Sequence, residues 1–260
     1  MSPEFETQLN YGNWIRKKIL LILGVCALGM GVLSLLPFGS LYRLVMAFLF
    51  VTTFISFLFP LYSYVMFSQN GGHIQDRVYN LIIQHLGPPI TGRILDIGSG
   101  NGVLAVKLAH QHGQAEVVGM DYWGRNWEYS KGSCDKNARI GGVENRVHFQ
   151  TGDAAVLEFS SDTFDGVVSN LTFHEVRSVA DKREVVREAL RVVKGGGRFA
   201  FVDYFFNAKL YGTAAEFENY LRSLNLSHFE MKPLRERIEL PLLMLHPKIL
   251  GQVGIVYGRK

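Results

Sequence analysis

Residues 94–102, Ile-Leu-Asp-Ile-Gly-Ser-Gly-Asn-Gly, constrain this chain more than any other stretch. Three aliphatic residues surround an acid, and glycine then falls at every second position. Such a run reads as a buried strand entering a loop whose backbone approaches a ligand, with a helix opening at Val103. Glycine suits the loop because a Cβ would obstruct both positive φ angles and close approach. A dinucleotide fingerprint, G-x-G-x-x-G, would need its third glycine where Val103 stands. A phosphate-cradling P-loop would end in Gly-Lys-Ser/Thr, which is absent. For the motif alone, a tight strand-to-helix turn without a ligand remains the alternative.

The following residues extend the pattern. A helix over 103–112 and a strand over 116–120, ending at Asp121, complete a β-α-β unit with parallel strands and a right-handed crossover. An acid at that strand end, about twenty residues past the glycines, is positioned to accept hydrogen bonds from ribose hydroxyls, or else caps a helix. Tyr122 and Trp123 can pack on a base, while Trp127 and Tyr129 are expected toward the core or a substrate entrance. A helix is expected over 127–140, and strands over 147–150 and 164–170. An amphipathic helix over 181–193 and a turn at 194–198 lead into a strand over 199–204. A helix over 213–224 precedes two segments, 227–231 and 249–257, suited to an antiparallel pair. Pro233, Pro241 and Pro247 make their connection irregular.

Asp96-x-Gly98-x-Gly100-x-Gly102, Asp121, Asp153 and Phe164-Asp165-Gly166-Val167, in this order at successive strand ends, resemble the motifs of the class I S-adenosylmethionine-dependent methyltransferases. The likeness covers Gly92 to about Tyr204 clearly and the remainder loosely. It implies a Rossmann-like, seven-stranded, mostly parallel α/β sheet with helices on both faces. It also implies S-adenosylmethionine as cofactor, with S-adenosylhomocysteine as product. The implied cofactor residues are Asp96, Gly98, Ser99, Gly100, Asn101, Gly102, Asp121, Tyr122, Trp123, Asp153, Ala154 and Asn170. Asp153, with the amide of Ala154, matches the family's adenine contact; an ordinary turn aspartate is the alternative. Lys194-Gly195-Gly196-Gly197 resembles the family's L-K-P-G-G segment with proline replaced by glycine. Asn170-Leu171-Thr172-Phe173 lacks the two prolines of members that methylate DNA amino groups, which argues against that substrate.

Methyl transfer from a sulfonium uses an electrophile that is already activated, so positioning and water exclusion dominate. His174, just past the fourth strand, is the candidate general base: a neutral imidazole can take a proton near pH 7. Glu175 would orient it or bind a substrate cation. Asp203, Tyr204, Phe205 and Phe206, ending the fifth strand, would line an apolar acceptor pocket. A capping histidine, a solvated acid and core aromatics are the structural alternatives. His110 and His112 do not share a helix face, the two cysteines are far apart, and no metal site is suggested.

The N-terminal quarter has another character. Residues 19–36 and 44–65 carry no charge, and as helices they would span ~27 and ~33 Å, near the ~30 Å hydrocarbon core. Pro37-Phe38-Gly39-Ser40 breaks the chain between them. The reading is a transmembrane hairpin, helices about 15–36 and 41–66, within an anchor over 1–66. A linker and amphipathic helix over 67–92 and a methyltransferase domain over 93–260 follow. Arg16-Lys17-Lys18 puts the shared side, and hence the catalytic domain, in the cytoplasm. A cleaved signal, a buried hairpin and a monotopic hairpin are the competing readings.

Half of the net charge of +4 lies in the first 66 residues, too little elsewhere for a nucleic-acid stripe. The expected partners are the bilayer, through residues 15–66, and a small, lipid-soluble or membrane-associated acceptor. Gly24, Ala27, Gly29 and Gly31 also permit homo-oligomerisation through the hairpin. A protein or soluble acceptor, and a non-catalytic cofactor-binding protein, are the alternatives.

Overall fold

A computed structural model describes residues 8–124 and 128–260. Two compact units result: Asn13–Gln75, and Asp76–Lys260 together with residues 8–12. Residues 8–12, expected within the 1–66 anchor, therefore go with the larger unit.

The smaller unit is a helical hairpin of α1 (Lys17–Ser34) and α2 (Ser40–Phe67), both long and apolar enough to cross a membrane. Its apolar side chains are largely exposed; Leu28 is 70% and Phe48 66% accessible. The helices meet where α1 has no side chain: a Cβ on Gly31 would lie 3.2 Å from the Phe50 ring. Gly24 faces Phe57 in the same way, and Ala27 between them is buried. Gly29 has nothing within 4 Å. Hydroxyls within α2 return their hydrogen bonds to the helix itself, Thr52 to Phe48 and Ser56 to Thr52.

The larger unit is the expected α/β sandwich. Its sheet contains β1 (Arg93–Ile97), β2 (Glu116–Asp121), β3 (Val147–Thr151), β4 (Phe164–Asn170), β5 (Val193–Asp203), β6 (His228–Pro233) and β7 (Gly254–Arg259). The order is β3-β2-β1-β4-β5-β7-β6, parallel through β5 and antiparallel at β7 and β6. Strands buried on both faces read as apolar runs, as in Ile94-Leu95 and Val167-Val168, all 0% accessible. Order reverses between β1 and β4, so the carboxyl ends of β2, β1 and β4 frame the crevice where such sheets bind ligands. The helices are α3 (Ile74–Leu86), α4 (Val103–Gln111), α5 (Lys131–Ile140), α6 (Lys182–Arg191), α7 (Ala208–Tyr211) and α8 (Ala214–Arg222).

Three expected boundaries differ. The helix expected from residue 127 begins at Lys131, because the Ser130 hydroxyl accepts from the Ser133 amide and caps it there. Trp127 lies outside the described residues. The turn at 194–198 is a bulge inside β5: Val193 pairs with Phe164, and pairing resumes only at Arg198 with Gly166. The last strand starts at Gly254 rather than 249, because Ile249–Val253 close turns, with Gly251 N donating to His246 O at 3.1 Å.

Asp165 of the fourth-strand motif is structural. It accepts from the Arg93 amide and Lys194 Nζ, each at 2.9 Å, at the sheet edge opposite the crevice.

Candidate active site

Gly98, Gly100 and Gly102 all hold left-handed φ angles, +80°, +56° and +78°. At Gly98 the requirement is double, since a Cβ there would sit 1.8 Å from Thr172 Oγ1. The loop is bolted to the neighbouring strand: the amides of Gly98 and Ser99 both donate to Met120 O. Gly100 N donates to Asp121 Oδ2, and Trp123 N to Asp121 Oδ1, each at 2.8 Å. Trp123, at φ +43°, also donates its indole N–H to Gly100 O at 2.8 Å. Tyr122 is 74% exposed beside it. The Asp153 carboxylate closes its own turn on the Ala155 amide at 2.9 Å, and Ala154 is buried.

Three buried polar groups along this crevice lack a hydrogen-bond partner among the described residues: both carboxylate oxygens of Asp96, Asn101 Nδ2 and Asn170 Oδ1. Asp96 is 1% exposed, and burial lifts its pKa to about 7. Burial likewise raises Asp121, against the amides of Trp123, Gly100 and Tyr122 that favour its charged form. A bare, buried carboxylate beside glycine-lined backbone is costly unless a ligand completes it.

Sequence reasoning missed the bracing behind the loop. Asn137, fully buried on α5, donates to Asn101 O at 2.8 Å and to Asn10 O at 3.0 Å, and accepts from Asn10 N. Tyr129 lies against Gly100 and Gly12. Tyr11, 5% exposed, donates to Asp76 Oδ1, which also pairs with the buried Lys107. Residues 9–12 thus form a strap over the glycine loop. No sequence signal marked it, because a short polar stretch ahead of an apolar run reads as a leader.

Across the crevice, His174 sits in a 3-10 turn (Phe173–Glu175) after β4. Its Nδ1 lies 2.9 Å from Oδ1 of Asp203, which is 0% exposed at the end of β5. Asp203 was expected to line an apolar pocket; it is instead the acceptor that fixes the imidazole. An ionised carboxylate only accepts, so Nδ1 carries a proton and a neutral ring leaves Nε2 bare. Burial pushes the His174 pKa down, but the Asp203 charge and hydrogen bond outweigh it, and the net shift is upward from 6.5. Glu175 lies 3.7 Å from Nε2 and adds to this rise. Tyr204 packs edge-on to the imidazole at 4.7 Å and donates its hydroxyl to Ile249 O at 2.7 Å. Burial lifts the Tyr204 phenol to about 12, so it stays protonated. The adjacent strand ends of β4 and β5 were the available signal for this pair.

A doubly wound sheet with a glycine loop at its reversal point and acids at the next strand ends defines a nucleoside-cofactor-binding domain of the methyltransferase type. A family model described as a methyltransferase domain matches residues 91–237, and the chain belongs to that family. It is 36% identical over 145 residues to the uncharacterised methyltransferase YcgJ of Bacillus subtilis, covering 55% of this chain and 53% of that protein. With the demethylmenaquinone methyltransferase of Clavibacter sepedonicus it shares 31% over 130 residues, 50% and 48% of the two chains. The chain spans about half the length of the curated relatives it matches. The crystal structure of the [4+2]-cyclase SpnF superposes with a TM-score of 0.53 at 19% identity, covering 71% of this chain and 80% of that one. The fold alone therefore does not fix the reaction.

S-adenosylmethionine is the cofactor of this family, and the residues fit it. The bare Asp96 carboxylate suits a cationic ligand, and the positive-φ glycines leave backbone open to close approach. Asp121 stands at the strand end where ribose hydroxyls are bound in such folds.

Proposed function

We propose that this chain is a bilayer-anchored, S-adenosylmethionine-dependent methyltransferase whose acceptor is small and lipid-soluble or membrane-associated. The cofactor would be held by Asp96, the 98–102 loop, Asp121, Tyr122, Trp123, Asp153, Ala154 and Asn170. When bound it supplies the methyl group on an activated sulfonium.

The acceptor's proton is left to the chain's own residues. His174, its Nδ1 proton held by Asp203, offers Nε2 as base to a hydroxyl, thiol or acidic carbon. Glu175 lies 3.7 Å from that nitrogen, and Tyr204 packs against the ring.

The observation that carries the reading is the pair of exposed apolar helices joined directly to this domain. Confinement at a bilayer raises the effective concentration of acceptors dissolved in it. The demethylmenaquinone relative makes a quinone-like ring one candidate acceptor. Arg16, Lys17 and Lys18 at the start of α1 favour a cytoplasmic catalytic domain.

Full-length protein in native-lipid vesicles, given methyl-labelled S-adenosylmethionine, tests this reading. Label in the organic phase, abolished by Asp121→Ala, is the expected result. Label confined to protein or to water-soluble product would replace the acceptor class. Cofactor binding without any label would replace the enzyme reading with a binding one.

A further inference from the structure

Among the described residues of the larger unit, four large apolar side chains are exposed: Tyr122, Val156, Leu242 and Leu243. Strand register puts all four at one edge. Tyr122 follows the carboxyl end of β2, and Val156 follows that of β3. Gly254 pairs with Asp203 on one side and Pro233 on the other, so the β6–β7 connection, residues 234–253, leaves and re-enters at the same edge.

Only Leu242 and Leu243 are consecutive, at 83% and 55% exposure. They sit on a 3-10 turn (Leu242–Leu245) started by Pro241, and the base of the connection is firmly packed. Leu234, Met244 and Leu250 are buried, and Leu250 N donates to Met244 O at 3.1 Å. Burial below holds the two leucines out above. At about 25 cal/mol per Å² such side chains gain from any apolar phase that covers them. Arg235 and Lys248 on the same connection, like Glu236 and Glu239, are exposed and form no ion pair among the described residues; Arg237 pairs with Glu230. Consecutive exposed leucines held out by a packed base are the pattern of an interfacial anchor, and Arg235 and Lys248 are the groups of the connection that can meet anionic headgroups.

The connection also reaches the acceptor side. Ile249 O accepts from the Tyr204 hydroxyl, whose ring abuts His174, and Phe206 N donates to Gln252 O at 3.0 Å.

We propose that the 234–253 connection is a membrane-docking loop that sets Leu242 and Leu243 into the headgroup–acyl boundary of an anionic bilayer and opens the His174 side of the crevice onto the lipid phase. The proposal rests on the bilayer attachment proposed above and adds a second, independent point of contact.

Full-length protein is embedded in bilayer discs of phosphatidylcholine and phosphatidylglycerol and labelled with a polarity-sensitive dye at one of three sites. The native Cys26, exposed on α1, reports the hairpin; Cys134 is buried. In a Cys26→Ser background, Leu242→Cys reports the loop, and Gly195→Cys, with nothing within 4 Å of its Cβ position, reports the opposite sheet edge. Lipid-borne quencher is expected to lower emission at positions 26 and 242 roughly twofold or more, and to leave position 195 unchanged. Arg235→Gln with Lys248→Gln should weaken the quenching at 242 but not at 26. Quenching at 26 with none at 242 overturns the loop proposal while leaving the hairpin in place. No quenching at 26 removes the bilayer attachment, and the loop proposal with it.

Discussion

The two sides of the crevice are held by different means. On the β1–β2 side the geometry is set by backbone: three left-handed glycines, amides shared onto Met120 O, and the Asp121 carboxylate clamped by two amides. Its remaining polar groups, Asp96 above all, are buried without partners. On the β4–β5 side Asn170 Oδ1 is left without a partner, but the reactive pair is internally satisfied: a single carboxylate, Asp203, orients the His174 ring. A backbone-built site binds a ligand whose shape does not vary. A site built on one side-chain pair is suited to proton transfer and can change acceptors by changing its lining. Damage to the first side should abolish binding, and damage to the second should slow chemistry at unchanged cofactor affinity.

The largest expected effect tests the second half of that contrast. His174→Ala should lower kcat by about 10²–10⁴ while the cofactor Kd, measured by calorimetry, stays within about twofold. A matching loss of cofactor affinity would mean that the two sides are not separable. Asp203→Asn should cost less in kcat, and it should move the pH profile. The parent rate should rise with pH through a His174 pKa above 6.5, and removing the Asp203 charge should shift that inflection downward. Because this folded pKa is raised, the stability that His174 protonation contributes is fully present below about 6.5 and is lost as pH rises through the folded value.

Gly98→Ala probes the backbone-built side. A left-handed alanine costs ~1–2 kcal/mol, and the overlap with Thr172 adds ~1–3 kcal/mol. Thermal unfolding should show the loss, and cofactor binding should fall below detection. Adding Thr172→Ala should recover only part of the overlap, since the Cβ at 172 itself stands 2.6 Å from the added one, and none of the φ cost; full recovery would show that the loop's conformation is unimportant.

Asn137→Ala should be milder, at ~1–3 kcal/mol, because it strips partners from Asn101 O and from both backbone groups of Asn10. Its cofactor affinity should drop only a few-fold.

The smallest effect is a pH dependence of ligand stabilisation. Asp96 is raised to about 7, so without cofactor the stability tied to its protonated form is lost as pH climbs from the ordinary carboxylate range through about 7. A cationic ligand favours the ionised form. The gain in melting temperature on adding S-adenosylmethionine should therefore be larger at pH 8 than at pH 5.5, and an equal gain would remove Asp96 from the cofactor's charge environment.

What the sequence revealed, and what it hid, follows the same division. The glycine loop and the acids at strand ends were legible because each is a local rule about backbone: which φ a residue tolerates, and where a strand must stop. The seven-stranded, mostly parallel sheet was implied by the motifs' resemblance to the family, while the order of its strands comes from the structure. The pairing of His174 with Asp203 was hidden because 29 residues separate them and only the register of Asn170 with Val202 brings their strand ends together. The turn at 194–198 became a bulge for a related reason, since pairing on either side of it is decided by β4 rather than by its own glycines. The strap at residues 9–12 was hidden by the apolar run that follows it.

That strap changes what the hairpin is. The catalytic unit begins before α1 and resumes at Asp76, and the Tyr11 hydroxyl touches the Asp76 carboxylate at 2.8 Å. The apolar helices are thus an insertion within the enzyme's own chain rather than a leader that precedes it. Cutting the chain after residue 66 would discard Asn10 and Gly12 along with the helices and leave the glycine loop unbraced. Excising residues 13–75 and joining the neighbouring ends with a few flexible residues would instead free the enzyme with its brace intact.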